Sequence, residues 1–149
     1  MIGFWGWSSR TGSRQGHTGI QGIIGTYLWK LSRGEDLEIW GDGTVVRDFI
    51  YVKDMADICV AALESEKSGI YNAGAGEGTS VNQIVEAVRH ATGRDFQPTY
   101  KVARAYDVPR IVLDIRRAQE DFGWSPKVPL VEGVAESWKW VQSQAAAVR

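Results

Sequence analysis

The chain has 149 residues, enough for one domain with a real core and too few for two ordinary ones. Hydrophobic residues make up 44% and charged residues 23%, and the formal net charge of -1 gives no general attraction to nucleic acid or an anionic membrane, so any anion site is local. The single cysteine, Cys59, excludes an internal disulfide framework and fits a reducing compartment, with the cytoplasm as the expected location; no apolar run long enough to span a membrane and no signal-peptide pattern is present.

Residues 1–19, MIGFWGWSSRTGSRQGHTG, mix glycines with Phe4, Trp5 and Trp7 and have neither helical nor strand period, which predicts a loop or arm. Ile20, Ile23, Ile24, Tyr27, Leu28 and Leu31 then form one apolar stripe at helical spacing, closed by Arg33 and Gly34. LEIW (37–40) and DFIYV (48–52) read as two strands separated by the Gly41-Asp42-Gly43 turn. Asp54 is placed to cap a helix whose inward face is Met55, Ile58, Cys59, Ala62 and Leu63. GIYNA (69–73) reads as a strand before a glycine-rich turn, and Ser80-Val-Asn-Gln83 has capping-box spacing ahead of a helix with Val81, Ile84, Val85 and Val88 inward, stopped by Gly93. The remainder predicts a strand near Gln97 to Val102, a loop from Arg104 to Pro109, a strand at Ile111 to Leu113, and a helix from Asp114 to Phe122 ended by Gly123. A final helix presents Leu130, Val134, Trp138 and Val141. Helices alternating with short strands make the class α/β or α+β.

Metal and nucleophile chemistry find little support. His17 and His90 are far apart, Cys59 sits on a predicted core stripe where a thiol is inert, and His90 reads as a surface residue. The Gly3 to Gly6 segment has no strand to deliver it to a helix N-terminus, and the Gly74-Ala-Gly76-Glu-Gly78 spacing is not the dinucleotide fingerprint, so turn formation is the favoured role of both. Arginine is the better lead, since its fixed fork of donors matches phosphate geometry. Arg47 lies between apolar runs and Arg104 stands three residues before Asp107. Spacing alone favours ion pairs with Asp48 or Asp107, although exposed pairs of that kind contribute under about 1 kcal/mol.

GDGTVVRDFIYVKDMAD, IYNAGAGEGTSV and RAYDVPRIVLDIRRAQEDFGWSPKVPLVEGV resemble the C-terminal half of the NAD-dependent epimerase/dehydratase family of extended short-chain dehydrogenases, UDP-glucose 4-epimerase and its relatives. The resemblance runs from about Gly12 to Val141. It implies a small nucleotide-sugar-binding domain over residues 11–149, preceded by a non-family arm over 1–10, and no complete Rossmann domain. It also implies roles for matching residues. Arg47 would contact the diphosphate, and Arg104 the diphosphate or ribose. Asp107 would orient that loop or reach a ribose hydroxyl, and Glu38 and Trp40 would meet the base. Thr11-Gly-Ser-Arg-Gln15 stands where the family usually has Tyr-Gly-Pro-Arg-Gln, changed at two positions.

The family's cofactor half, with its glycine-rich turn and Tyr-x-x-x-Lys pair, would lie upstream of residue 11. The residues four after Tyr27, Tyr51, Tyr71, Tyr100 and Tyr106 are Leu31, Met55, Ala75, Arg104 and Arg110, so no such pair occurs. In family enzymes that tyrosine moves the sugar hydroxyl proton while NAD takes hydride. The expectation is therefore a chain with no catalytic residues and no cofactor site of its own, incompetent for hydride chemistry by itself. Apolar area normally covered by the cofactor domain would be met by the aromatic arm, by a second copy of the chain, or by a separate NAD-binding chain. Two function classes stand: a truncated nucleotide-sugar-binding domain taking UDP- or dTDP-linked sugars, and a non-catalytic interaction or oligomerisation protein whose old site is a remnant.

Overall fold

In the computed structural model, residues 3–5, 22–103 and 107–147 are described. The predicted helical stripe folds as α1 (Ile23–Ser32), burying Ile24, Tyr27, Leu28 and Leu31 at the spacing that puts four side chains on one face. The capping box at Ser80 is complete. The Gln83 amide donates to the Ser80 hydroxyl at 3.2 Å, and the Ser80 amide donates to Gln83 Oε1 at 2.8 Å, which starts α3 (Val81–Thr92). Left-handed glycines at 93 and 123 stop α3 and the short α4 (Arg116–Phe122). The final helix, α5 (Leu130–Ala147), lays Val134, Trp138 and Val141 inward.

The strands are short and pair with distant partners. β2 (Glu38–Trp40) runs parallel to β6 (Thr99–Lys101), with Ile39 opposite Tyr100 and Trp40 opposite Lys101. The strand expected at 48–52 forms as β4 (Phe49–Tyr51), and a further short strand, β3 (Val46–Arg47), precedes it, with Asp48 between the two. β3 pairs antiparallel with β5 (Thr79–Ser80) and bridges to Arg110. β4 pairs parallel with β1 (Gly3–Trp5), so this part of the expected N-terminal arm is a strand; three residues are too few to carry a period, and only the ladder partner reveals them.

Asp48 explains the break. Its side chain is 5% exposed and accepts backbone N–H bonds from Ala75 (2.6 Å), Gly76 (3.0 Å) and Leu113 (3.2 Å). A carboxylate held by N–H donors is a strong tie, and it gathers the β3–β4 junction, the glycine turn and the segment before α4 at one point. Glycine is required at 74, where a Cβ would stand 2.9 Å from Asp48 Oδ2.

Two cores result. α1, α3, α5 and β2 enclose the larger, with Leu28, Ile84, Val88 and Val134 fully buried. Ile50, Ile58, Ile115, Ala118 and Trp124 form the smaller, between β4, α2 (Val52–Glu64) and α4.

Several expectations are corrected here. Asp54 does not cap α2, which begins at Val52; it lies in the first turn, buried, and accepts from the Val128 amide at 3.0 Å. Cys59, Ala62 and Leu63 face outward, Leu63 at 85% exposure, because α2 packs through Met55 and Ile58. Residues 69–73 and 111–113 form no strand among the described residues. Tyr71 donates to Asp121 Oδ2 at 2.7 Å, Asn72 to the Asp114 carbonyl, and Ile111 to the Val46 carbonyl, so side chains and single bonds take the place of a ladder. No helix among the described residues is long and apolar enough to cross a membrane.

Asp48→Asn keeps the shape and turns one acceptor into a donor facing N–H groups. It is expected to cost about 3 kcal/mol in urea unfolding. A loss under about 1 kcal/mol would show that the three bonds do not tie the fold.

Candidate functional site

An open groove of about 680 Å³ lies at the C-terminal ends of β2 and β6, lined by Trp40, Asp42, Thr44, Tyr100, Lys101 and Asp107 among others. The alternation of β2 builds one wall. Ile39 points into the core, so Glu38 and Trp40 share the outward side, and Trp40 is 47% exposed. Beneath them the Tyr27 hydroxyl of α1 donates to the Glu38 carbonyl at 3.1 Å and fixes β2 to the helix. Burial, and then the neighbouring Tyr100, push the Tyr27 phenol up from 10.0 to about 12.

The Gly41–Gly43 turn forms the second wall. Both glycines have positive φ, 85° and 78°, and the Gly41 amide donates to the Lys101 carbonyl at 3.0 Å. Asp42 Oδ1 accepts from the Thr44 hydroxyl at 2.6 Å and the Thr44 amide at 2.9 Å, and these bonds hold its carboxyl below the usual range.

Arg47 ties down the third wall. Its Nη1 donates to the Val46 carbonyl at 2.8 Å and the Val108 carbonyl at 2.7 Å, which pins the segment carrying Asp107 and Pro109. The ion pair with Asp48 that spacing favoured is not formed. Arg47 reaches the Val46 and Val108 carbonyls instead, and Asp48 is occupied by N–H donors. Among the described residues no carboxylate forms a salt bridge with Arg47, whose acceptors are neutral carbonyls.

The structure therefore brings Trp40 and Asp107 to the groove, and ties Arg47 to the 107–109 segment without placing it in the lining. Glu38 lies outside the lining too, paired at 3.3 Å with Lys101, which does face the groove. Arg104, and with it the Arg104–Asp107 pairing, lies outside the described residues. The glycine cluster at 74–78 acts as a turn and close-approach segment against Asp48. Sequence reasoning missed Asp42, Thr44, Tyr100 and Lys101 as groove residues. The Asp-Gly-Thr order after Gly41 was the available signal for the first two; none pointed to the others. Among the described residues no group of three or more His, Cys, Asp or Glu side chains is placed to hold a metal ion.

Residues 8–74 match the NAD dependent epimerase/dehydratase family. The chain is 36% identical to a putative UDP-glucose 4-epimerase of Methanocaldococcus jannaschii over 137 residues, covering 92% of this chain and 44% of that protein. It is 33% identical to the UDP-glucose 4-epimerase of Mycolicibacterium smegmatis, covering 90% and 43%. Among solved structures, Thermotoga maritima UDP-glucose 4-epimerase with UDP-glucose superposes with a TM-score of 0.83 at 34% identity, covering 96% of this chain and 44% of that one. A mutant UDP-glucuronic acid 4-epimerase of Bacillus cereus, in complex with a UDP-sugar and NAD, gives 0.75 at 25% identity, covering 81% and 40%. The α/β fold is thus similar to that of these epimerases, and the chain spans less than half the length of these relatives. The matches establish this kinship and extent; they do not bear out the narrower expectation of a C-terminal half.

Tyr27 yields a pH prediction. Its folded pKa lies above the unfolded value, so its contribution is complete below pH 10 and lost as pH rises from 10.0 toward about 12. Urea midpoints of the wild type should fall across that window, and Tyr27→Phe should flatten the fall. An equal fall in both proteins would assign the alkaline loss to other groups.

Proposed function

We propose that the chain is the nucleotide-sugar-binding part of an epimerase/dehydratase-family protein, holding a UDP- or dTDP-linked sugar in the groove between β2, β6 and the 107–109 segment. Arg47 carries this reading. It is a half-buried guanidinium held by two carbonyls, which orient it without neutralising it, and no carboxylate pairs with it among the described residues. A cation so placed retains its charge for an anionic ligand, and its fork suits a diphosphate.

The other assignments follow from position and chemistry. Arg104 joins Arg47 at the diphosphate or reaches the ribose. Asp107, in the lining, meets a ribose hydroxyl or orients its loop. Trp40 offers a flat apolar face to the base, and Glu38 lies beside it on the same strand face. The UDP-glucose in the Thermotoga maritima structure supports the ligand class.

Catalysis is a separate matter. The Tyr-x-x-x-Lys pair that moves the sugar proton is absent from these 149 residues. Isomerisation would then require NAD and that pair from outside them, on a separate NAD-binding domain. The setting is the cytoplasm. Residues 11–149 serve as the binding unit.

One observation favours the alternative reading, an interaction protein that assembles with itself or a partner. α2 turns Val60 and Leu63 outward, and Ile70 beyond it is 89% exposed. Isolated exposed apolar residues are common, but three from one helix and its exit make a surface to cover.

Calorimetric titration with UDP, UDP-glucose and dTDP decides between the two. Binding in the millimolar range or tighter is expected, weakened at least about tenfold in Arg47→Ala, as befits the loss of a charged donor. The Arg47→Ala protein should still melt cooperatively. No heat from any nucleotide, together with a dimer or larger assembly by light scattering, would overturn the binding reading in favour of assembly.

A further inference from the structure

Two walls of the groove meet at a side chain outside it. Asn82, half-buried in the first turn of α3, donates from Nδ2 to the Asp42 carbonyl at 3.0 Å, while its backbone amide donates to the Gly43 carbonyl, also at 3.0 Å. Its Oδ1 accepts from the Tyr100 hydroxyl at 3.1 Å. The directions are fixed by chemistry. A carbonyl oxygen only accepts, so the amide nitrogen must face Asp42, which leaves the amide oxygen for Tyr100 and makes Tyr100 the donor. Asp42 and Tyr100 both line the groove, and Asn82 does not.

The space around Gly43 reinforces the link. A Cβ there would lie 2.0 Å from Asn82 Oδ1, so the turn is packed directly against this amide. The turn's remaining ties are internal or run to β6, through Asp42 to Thr44 and Gly41 to Lys101. Asn82 alone, among the described residues, joins the turn to α3 through a side chain and to the phenol across the groove.

We propose that Asn82 is a positioning residue for the nucleoside end of the nucleotide site, setting the separation between the Gly41–Thr44 turn and Tyr100. The inference rests on the nucleotide reading of the groove and adds a division of labour. The turn and its two aromatic neighbours, Trp40 and Tyr100, hold the nucleoside, while Arg47, bonded to the 107–109 segment, serves the phosphates.

The test compares uridine, UDP and inorganic pyrophosphate on the full chain by calorimetry, with Asn82→Ala, Asn82→Asp and Tyr100→Phe. Both Asn82 variants lose the donor to Asp42. They should weaken uridine by about fivefold, the scale of one lost hydrogen bond, and leave pyrophosphate unchanged in Asn82→Ala. Tyr100→Phe should weaken uridine by a smaller factor. A purely structural role would lower the melting temperature and every affinity together. The ligand comparison separates the two, because a positioning role lowers uridine affinity and spares pyrophosphate, and Asn82→Asp, which sets an acceptor oxygen against the Asp42 carbonyl, should weaken uridine at least as much as Asn82→Ala. Wild-type affinity for uridine in both Asn82 variants would overturn the proposal and leave the nucleotide reading intact. Failure of the wild type to bind uridine, UDP or pyrophosphate would overturn the nucleotide reading and this proposal with it.

Discussion

At Asp48 a carboxylate only 5% exposed accepts three backbone N–H groups, from Ala75, Gly76 and Leu113, and the rest of the chain is routed around that arrangement. Moving a carboxylate out of water is costly, and no salt bridge to it is formed among the described residues. Charge-assisted bonds to backbone amides offset that cost, provided the three amides are delivered to one place. Their delivery requires the glycine turn to approach closely, the strand between residues 46 and 51 to break, and the segment before α4 to lie alongside. The same tie therefore sets the small core of Ile50, Ile58 and Ile115 against β4.

The site follows from the neighbouring residue. While Asp48 bonds the glycine turn, Arg47 at the end of β3 meets the Val108 carbonyl and fixes the 107–109 segment. That segment forms one wall of the groove. The others come from β2 with its turn and from β6, which the parallel ladder brings together although they stand far apart in the chain. Two adjacent charged residues thus divide the work: the acid organises the fold, and the base keeps a charge available beside the groove.

The surface away from the groove is unevenly closed. The larger core is enclosed by three helices and β2, whereas α2 packs on the smaller core through Met55 and Ile58 and leaves Leu63 in water. β1 and β4 make a two-stranded parallel pair, an arrangement that is usually part of a larger covered sheet. Both features belong to a chain that spans less than half the length of the epimerases it matches.

Local signals in the sequence determined α1, α3, α4 and α5, since apolar spacing, the Ser80–Gln83 box and the stopping glycines act within a turn or two of chain. They also marked Arg47, an arginine between apolar runs, and Arg104 with Asp107 three residues on, whereas Trp40 and Glu38 were marked only through the family resemblance. What tertiary structure decided is everything that depends on a partner far away. An apolar stripe on α2 announces burial but not against what, so Cys59 and Leu63 read as core and stand exposed. GIYNA has strand composition and no ladder among the described residues, while Gly3–Trp5 has a ladder and too few residues to signal one. Asp48 read as the counter-ion of Arg47 because they are adjacent, and the fold sent them apart. Hydrogen bonds such as Asn82 to Asp42 and Tyr100 join residues 40 and 18 positions away, and no short-range pattern encodes them; they exist only once the ladders and helices have closed.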